Sequence, residues 1–257
     1  MLLVMDVGNS DTVAGLYDGE VLRGHWRIST GLYGTSDEWR VALAVLFRQD
    51  GLDPAAVSGC CISSVVPQAN RHLERACRKA FAVEPLMIGP GVKTGLVIQV
   101  ENPKEVGADR IVNSVAAFEE YGGPLIVVDF GTATNFDVIS ESGEYRGGVI
   151  VPGVQMSADA LFERCAKLPH VEIAKPPTVI GKNTVTHIQA ALTYGYADLV
   201  DGLIGRMAEE MQASPRVVAT GGLADVIAEV ARKIDVVDPF LTLKGLRRVF
   251  QKNERAS

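Results

Sequence analysis

Two short stretches carry the same residue types in the same order. Asp6-Val7-Gly8-Asn9 follows the apolar run LLVM, and Asp129-Phe130-Gly131-Thr132 follows LIVV. A glycine after a strand lets the backbone turn tightly and approach a phosphate, and the Asn, Ser or Thr beyond it offers hydrogen bonds to the phosphate oxygens. A carboxylate at the strand's end can hold a cation beside those phosphates, directly or through water. One Asp-x-Gly alone reads as a hairpin turn. Two copies at equivalent places in two halves read as a two-part phosphate clamp.

Two further pairs invite chemistry. In ENPKEVGADRIVNSVAAF (101–118), Asp109 and Arg110 stand at the start of a helical pattern. The pair read alone fits a carboxylate favouring the helix N-terminus beside a surface arginine. It also fits a proton acceptor for a substrate hydroxyl next to a cation that binds an anionic group. In VVATGGLADVI (217–227), Gly221-Gly222 joins a strand to a helix, where small residues admit a flat adenine or ribose, or simply a close helix entry. GPGVKTG (89–95) and IGKNT (180–184) depart from the P-loop pattern, the first lacking Gly before Lys93 and the second placing Asn183 after Lys182. His25, His72, His170 and His187 show no metal-ligand spacing.

The elements that must position these residues repeat. From Leu2 and again from Leu125 the chain runs as an apolar segment, Asp-x-Gly, a second β-rich run, a Gly-Glu turn (Gly19-Glu20, Gly143-Glu144) and a third strand-like run. Asp6 and Asp129 are 123 positions apart in 257 residues. We expect two hairpin-led α/β halves, 1–118 and 119–257, with a ligand cleft between them. Within the first, 36–51 and 68–81 have helical spacing, the latter with Leu73, Ala76, Cys77 and Phe81 on one side, and 58–67 reads as a short buried strand ended by Pro. In the second, 184–212 reads as one long helix, 215–234 as strand, glycine turn and helix, and the tail from Asp238 as a closing helix.

Composition narrows the function classes. Net charge is −6, with 25 basic and 31 acidic residues and no long basic run, which disfavours a broad nucleic-acid footprint. Cys60, Cys61, Cys77 and Cys165 fit neither a disulfide framework nor a zinc site, and read as small buried thiols in a reducing compartment. No apolar stretch approaches the ~20 residues of a membrane span, and MLLVMDVGNS lacks a basic leader. A cytoplasmic protein that binds neither membrane nor nucleic acid is the expectation.

These features together resemble the acetate and sugar kinase, heat-shock ATPase and actin superfamily, without length for the large inserted subdomains. More narrowly, DVGNS, SSVVP, GPGVKTGL, ENPKEVGADRIVN, VDFGTAT, GGVIVPGV, AKLP, GKNTV, ATGGLA and DPFLTLKGL resemble type III pantothenate kinase almost end to end. The resemblance implies two duplicated ribonuclease H-like (actin-like ATPase) domains, each a mixed five-stranded sheet flanked by helices. It implies ATP-dependent phosphorylation of the primary hydroxyl of pantothenate, the first step of coenzyme A synthesis. ATP would then be bound by Asp6, Val7, Gly8, Asn9, Ser10, Asp11, Thr12 and Val13, with Asp6 near Mg²⁺, and by Thr132. Asp129 would hold a monovalent cation, potassium or ammonium. Gly107, Ala108, Asp109 and Arg110 would bind pantothenate, with Asp109 the proton acceptor and Arg110 the partner of the substrate carboxylate. Thr184 matches a substrate-contacting threonine at a subunit interface, which implies a homodimer. Val100 occupies the position before Glu-Asn-Pro where family members commonly carry a pocket-lining Tyr. Two other readings are a regulatory protein without turnover on the same fold, and a related small-molecule kinase with another acceptor.

Overall fold

The computed structural model describes residues 1–31 and 34–254. The strands are β1 (Leu2–Val7), β2 (Asp11–Asp18), β3 (Val21–Ser29), β4 (Gly59–Ser64), β5 (Leu86–Met87), β6 (Val97–Ile98), β7 (Leu125–Phe130), β8 (Ala133–Ile139), β9 (Glu144–Pro152), β10 (Arg216–Thr220) and β11 (Val236–Val237). The helices are α1 (Ser36–Gln49), α2 (Pro67–Phe81), α3 (Ala108–Tyr121), α4 (Val154–Arg164), α5 (Thr184–Ala190), α6 (Tyr196–Met211), α7 (Ala224–Ala228) and α8 (Leu241–Glu254). They form two compact units: Met1–Gly95 with Asn102–Ala116 and the chain from Thr242 onward, and Leu96–Glu101 with Ala117–Leu241.

The first unit is a mixed sheet in the order β3-β2-β1-β4-β5, antiparallel through the β1–β2–β3 hairpins and parallel from β1 to β4 to β5. Alternation along β1 decides its two faces. Leu3, Met5 and Val7 join Cys60 and Ile62 of β4 in a core with Leu43 and Phe47 of α1 and Leu73, Ala76, Cys77 and Phe81 of α2. The side of α2 expected from its spacing is thus the buried one. The opposite face carries Val4 and Asp6 and receives α8. A Cβ on Gly15 would stand 2.9 Å from Leu243, one on Gly59 2.5 Å from Phe250, and Gly245 of α8 lies against the backbone of Val112 in α3. Glycine at those positions lets helix and sheet approach each other. α1 is started by a capping box in which Thr35 and Glu38 satisfy each other's backbone N–H, one residue before the expected Ser start. Pro67 opens α2 at its first position rather than only closing β4.

The second unit repeats the topology as β9-β8-β7-β10-β11, with β6 added beside β9. The repetition extends to irregularities: the hairpin strands shift register between Leu16 and Tyr17 in β2 and between Val138 and Ile139 in β8, at the same step from each strand's start. Its core joins Ile126, Val128, Phe130 and Phe136 to Ile188, Leu192, Val200 and Ile204.

Four details differ from expectation. The second sheet has six strands, not five, because Val97 and Ile98 pair with Glu144 and Tyr145. The long helix from Thr184 is interrupted by a π turn over 191–195, where Leu192 and Thr193 are buried. The helix expected after the glycine turn of 215–234 is short, α7 ending at Ala228. Cys60, Cys61 and Cys77 are buried, whereas Cys165 is exposed.

Candidate active site

In the first unit, β1 carries Asp6 to a turn closed by the Gly8 N–H donating to the Asp11 carbonyl at 3.0 Å. A side chain on Gly8 would press within 2.9 Å of that carbonyl, so the turn needs glycine there. Asn9 and Ser10 are exposed at its tip. The turn is tied from beneath by Thr30, which escaped the sequence reading. Its hydroxyl donates to the Gly8 carbonyl at 2.7 Å and meets the Thr12 hydroxyl at 3.0 Å, while its N–H donates to the Ser10 carbonyl at 2.9 Å. The Thr12 hydroxyl is therefore engaged under the turn, with Thr12 fully buried, and Val7 packs into the core. Of this stretch, Asp6, Gly8, Asn9, Ser10 and Asp11 bring polar atoms to the turn, and Val13 follows in β2, paired with Asp6.

The same unit holds the start of α3. Asp109 is half-buried, and its Oδ1 finds no hydrogen-bond partner among the described residues. Burial pushes this carboxyl above its ordinary 3.8, partly offset by the Arg110 peptide N–H and guanidinium. Gly107 leaves room for this carboxylate, because a Cβ there would press on that same Oδ1 and force it to move. One turn further, on the same side of the helix, Asn113 is completely buried. It was missed, although a lone amide four residues after Asp109 in an otherwise apolar stretch was the available signal. Asp109 stands in the first turn of α3, where a carboxylate favours the helix N-terminus, while Arg110, read as a surface residue in that alternative, is half-buried.

In the second unit, β7 delivers Asp129 to the turn Gly131-Thr132, with Thr132 exposed. The parallel pairing of β10 with β7 sets Thr220 opposite Asp129, and so draws Gly221 to the same place. Gly221 has φ +95°, and a Cβ there would stand 2.6 Å from Asp129 Oδ1 and 2.7 Å from the Phe130 backbone. Sheet pairing thus brings together the second Asp-x-Gly and the late Gly-Gly turn. α4 begins against the same turn: the Gly153 N–H donates to the Thr132 carbonyl at 3.1 Å, and no side chain caps the helix. Tyr196, at the end of the π turn, donates to the Pro152 carbonyl at 2.8 Å and meets the Ser157 hydroxyl at 2.5 Å, fixing the start of α4. Thr184 is the exposed first residue of α5, capped by Asn183. Val100 lies beside Gly147, where a Cβ would stand 3.7 Å from its Cγ1.

Glycine-lined turns that each follow a strand-end carboxylate suit phosphate and cation. Among the described residues no cluster of three His, Cys, Asp or Glu is poised for a metal. The fit is to a cation held by one carboxylate together with phosphate oxygens and water.

The family model for type III pantothenate kinase matches residues 2–206. The chain belongs to the type III pantothenate kinase family. A type III pantothenate kinase of Anaeromyxobacter sp. (strain Fw109-5) is 56% identical over 253 residues, 98% of this chain and 100% of that one. Among solved structures, a Campylobacter jejuni protein described under the Baf family of transcriptional activators has a TM-score of 0.64 at 17% identity, covering 98% of this chain and 99% of that one. MreB 5 of Spiroplasma citri, bound to AMPPNP, has a TM-score of 0.55 at 10% identity over 99% and 97% of the two chains. At such identities these structures speak for the fold alone: an α/β, actin-like ATPase fold with two mixed sheets flanked by helices. Among the described residues no helix is long and apolar enough to cross a membrane.

Proposed function

We propose that this family member phosphorylates pantothenate with ATP, the entry step of coenzyme A synthesis, and that Asp109 is its proton acceptor. The observation that carries the assignment of Asp109 is its half-buried carboxylate, with one oxygen unpaired, at the head of α3 and followed by Arg110. A buried oxygen without a partner costs stability; a substrate hydroxyl that donates to it supplies the missing bond.

The turn from Asp6 to Val13 holds the triphosphate, helped by Thr132. Asp6 would hold Mg²⁺ and Asp129 a monovalent cation, K⁺ or NH₄⁺; bound there, these ions neutralise the charge of the transferring phosphoryl group. Arg110 pairs with the pantothenate carboxylate and Gly107 and Ala108 shape the floor beneath it, so the substrate's primary hydroxyl is directed to Asp109. That oxygen attacks the γ-phosphorus, the bond to the β-phosphate oxygen breaks, ADP leaves, and the hydroxyl proton passes to Asp109. Because phosphoryl transfer depends mainly on positioning and charge, the base has to act only as the new bond forms. Thr184 reaches the substrate from a second copy, so the enzyme works as a homodimer, in the cytoplasm.

Val100, in place of an aromatic residue, leaves room for a reading in which a related alcohol is the preferred acceptor. A panel of pantothenate and related alcohols in a coupled ADP assay decides. Pantothenate as the best acceptor supports the proposal, and no ADP above the ATP-only rate with pantothenate refutes it.

A further inference from the structure

The strand beside Asp6 carries a hydroxyl that the mechanism above does not use. Ser63 sits near the end of β4, is completely buried, and its Oγ has no hydrogen-bond partner among the described residues. Parallel pairing places Ser63 directly opposite Asp6. Their side chains share a face, since Met5 and Ile62, the preceding pair, both point into the apolar core on the other side. In-register neighbours on adjacent strands stand about 4.8 Å apart, so a hydroxyl and a carboxylate there come into hydrogen-bond reach by a side-chain rotation. The neighbouring Ser64 is different: its hydroxyl is spent on the Val66 backbone at 3.1 and 3.3 Å, where the chain turns into α2.

The second unit repeats the arrangement. Thr220 of β10, also buried, stands opposite Asp129 across a parallel pair. In both units the strand-end carboxylate is thus flanked by a buried hydroxyl from the parallel neighbour. A buried hydroxyl residue thus recurs at the equivalent register position beside each strand-end carboxylate.

We propose that Ser63 is a positioning residue for the nucleotide: when a Mg²⁺–nucleotide binds, the Ser63 hydroxyl donates to the Asp6 carboxylate and fixes the orientation in which that carboxylate meets the cation. Asp6 then presents its other oxygen lone pairs to the metal. The inference rests on the reading of the first turn as a nucleotide site, and its test separates the two.

The protein and its Ser63→Ala and Ser63→Thr variants are titrated calorimetrically with AMPPNP, once with excess Mg²⁺ and once with EDTA, and melted with and without ligand. For Ser63→Ala we expect an unliganded melting temperature equal to or above the parent's, because an unpaired buried hydroxyl is removed. We expect its affinity for Mg²⁺–AMPPNP to fall about 10- to 100-fold, the loss of one hydrogen bond to a charged group, with metal-free binding unchanged. Ser63→Thr, which keeps the hydroxyl, retains the magnesium-dependent affinity. Equal Mg²⁺–AMPPNP affinity in parent and Ser63→Ala overturns the proposal, as does a lowered unliganded melting temperature with unchanged nucleotide binding, which marks a purely structural hydroxyl. A parent protein that does not bind AMPPNP at all overturns the nucleotide reading itself.

Discussion

Replacing Asp109 by Ala should make the protein more stable and nearly inactive. The first half follows from the surroundings of the carboxylate. Its Oδ1 is buried with no partner among the described residues, and burial raises its pKa. Deleting an unpaired buried oxygen returns about 1–3 kcal/mol, while losing the Arg110 N–H bond to the carboxylate and its charge in the first turn of α3 costs about 0.5–1.5 kcal/mol. The balance is a stabilisation of about 1 kcal/mol, a rise of roughly 2–4 °C in Tm for a chain of this size. The sign with pH is also determined. A carboxyl whose folded pKa is raised binds its proton more readily in the native state, so its ionisation penalises folding above that raised pKa. The penalty fades as pH falls through the raised value and is gone below the ordinary 3.8. The advantage of Asp109→Ala should therefore be present at pH 7 and shrink toward pH 4. Thermal melts of both proteins across that range check this, and phosphorylation rates should be about 10²- to 10⁴-fold lower in the variant. A variant less stable than the parent at pH 7 would refute the reasoning, because the carboxylate would then be a satisfied structural group.

Arg110→Ala should raise the KM for pantothenate about 10- to 100-fold, the loss of a charged hydrogen bond, with a smaller effect on the KM for ATP, measured in a coupled ADP assay. Gly221→Ala should destabilise the protein by about 1–3 kcal/mol through left-handed strain and crowding, because the new Cβ meets Asp129 Oδ1 and the Phe130 backbone; a cation titration should show weakened K⁺ activation. Tyr196→Phe, which removes the bond to the Pro152 carbonyl, should lower stability by about 1 kcal/mol and be read as a Tm shift. The parent's acidic limb of kcat/KM against pH should lie above an aspartate's ordinary 3.8, in the direction burial pushes Asp109.

Much of the framework was legible because duplication writes the same local physics twice. The two Asp-x-Gly turns, the Gly19 and Gly143 hairpins, with φ of +62° and +83°, and the apolar side of α2 each follow from a period or a turn residue. What escaped was set by long-range pairing. Val97 and Ile98 make a strand only because the β9 edge is there to receive them. The π turn at 191–195, where Leu192 and Thr193 are buried, has no turn signal in the sequence that sets it apart from the helix on either side. Thr30 looks like the end of a strand until the register of β3 with β2 places it under the first turn. Ser63 lies within SSVVP, yet its position opposite Asp6 depends on which strand β4 pairs with. At the candidate site, residue types and spacing single out Asp6, Asp109 and Asp129 as candidates, but only the fold shows that Gly221 stands against Asp129 and that Gly107 leaves space for the Asp109 carboxylate.

The central claim is tested most directly by single-turnover phosphorylation of pantothenate with Mg²⁺ and K⁺, comparing the parent with Asp109→Asn. The account predicts formation of phosphopantothenate and ADP in equal amounts by the parent, and a rate lower by at least about 10²-fold in the variant with nucleotide binding retained. Phosphorylation by Asp109→Asn at the parent's rate would contradict it.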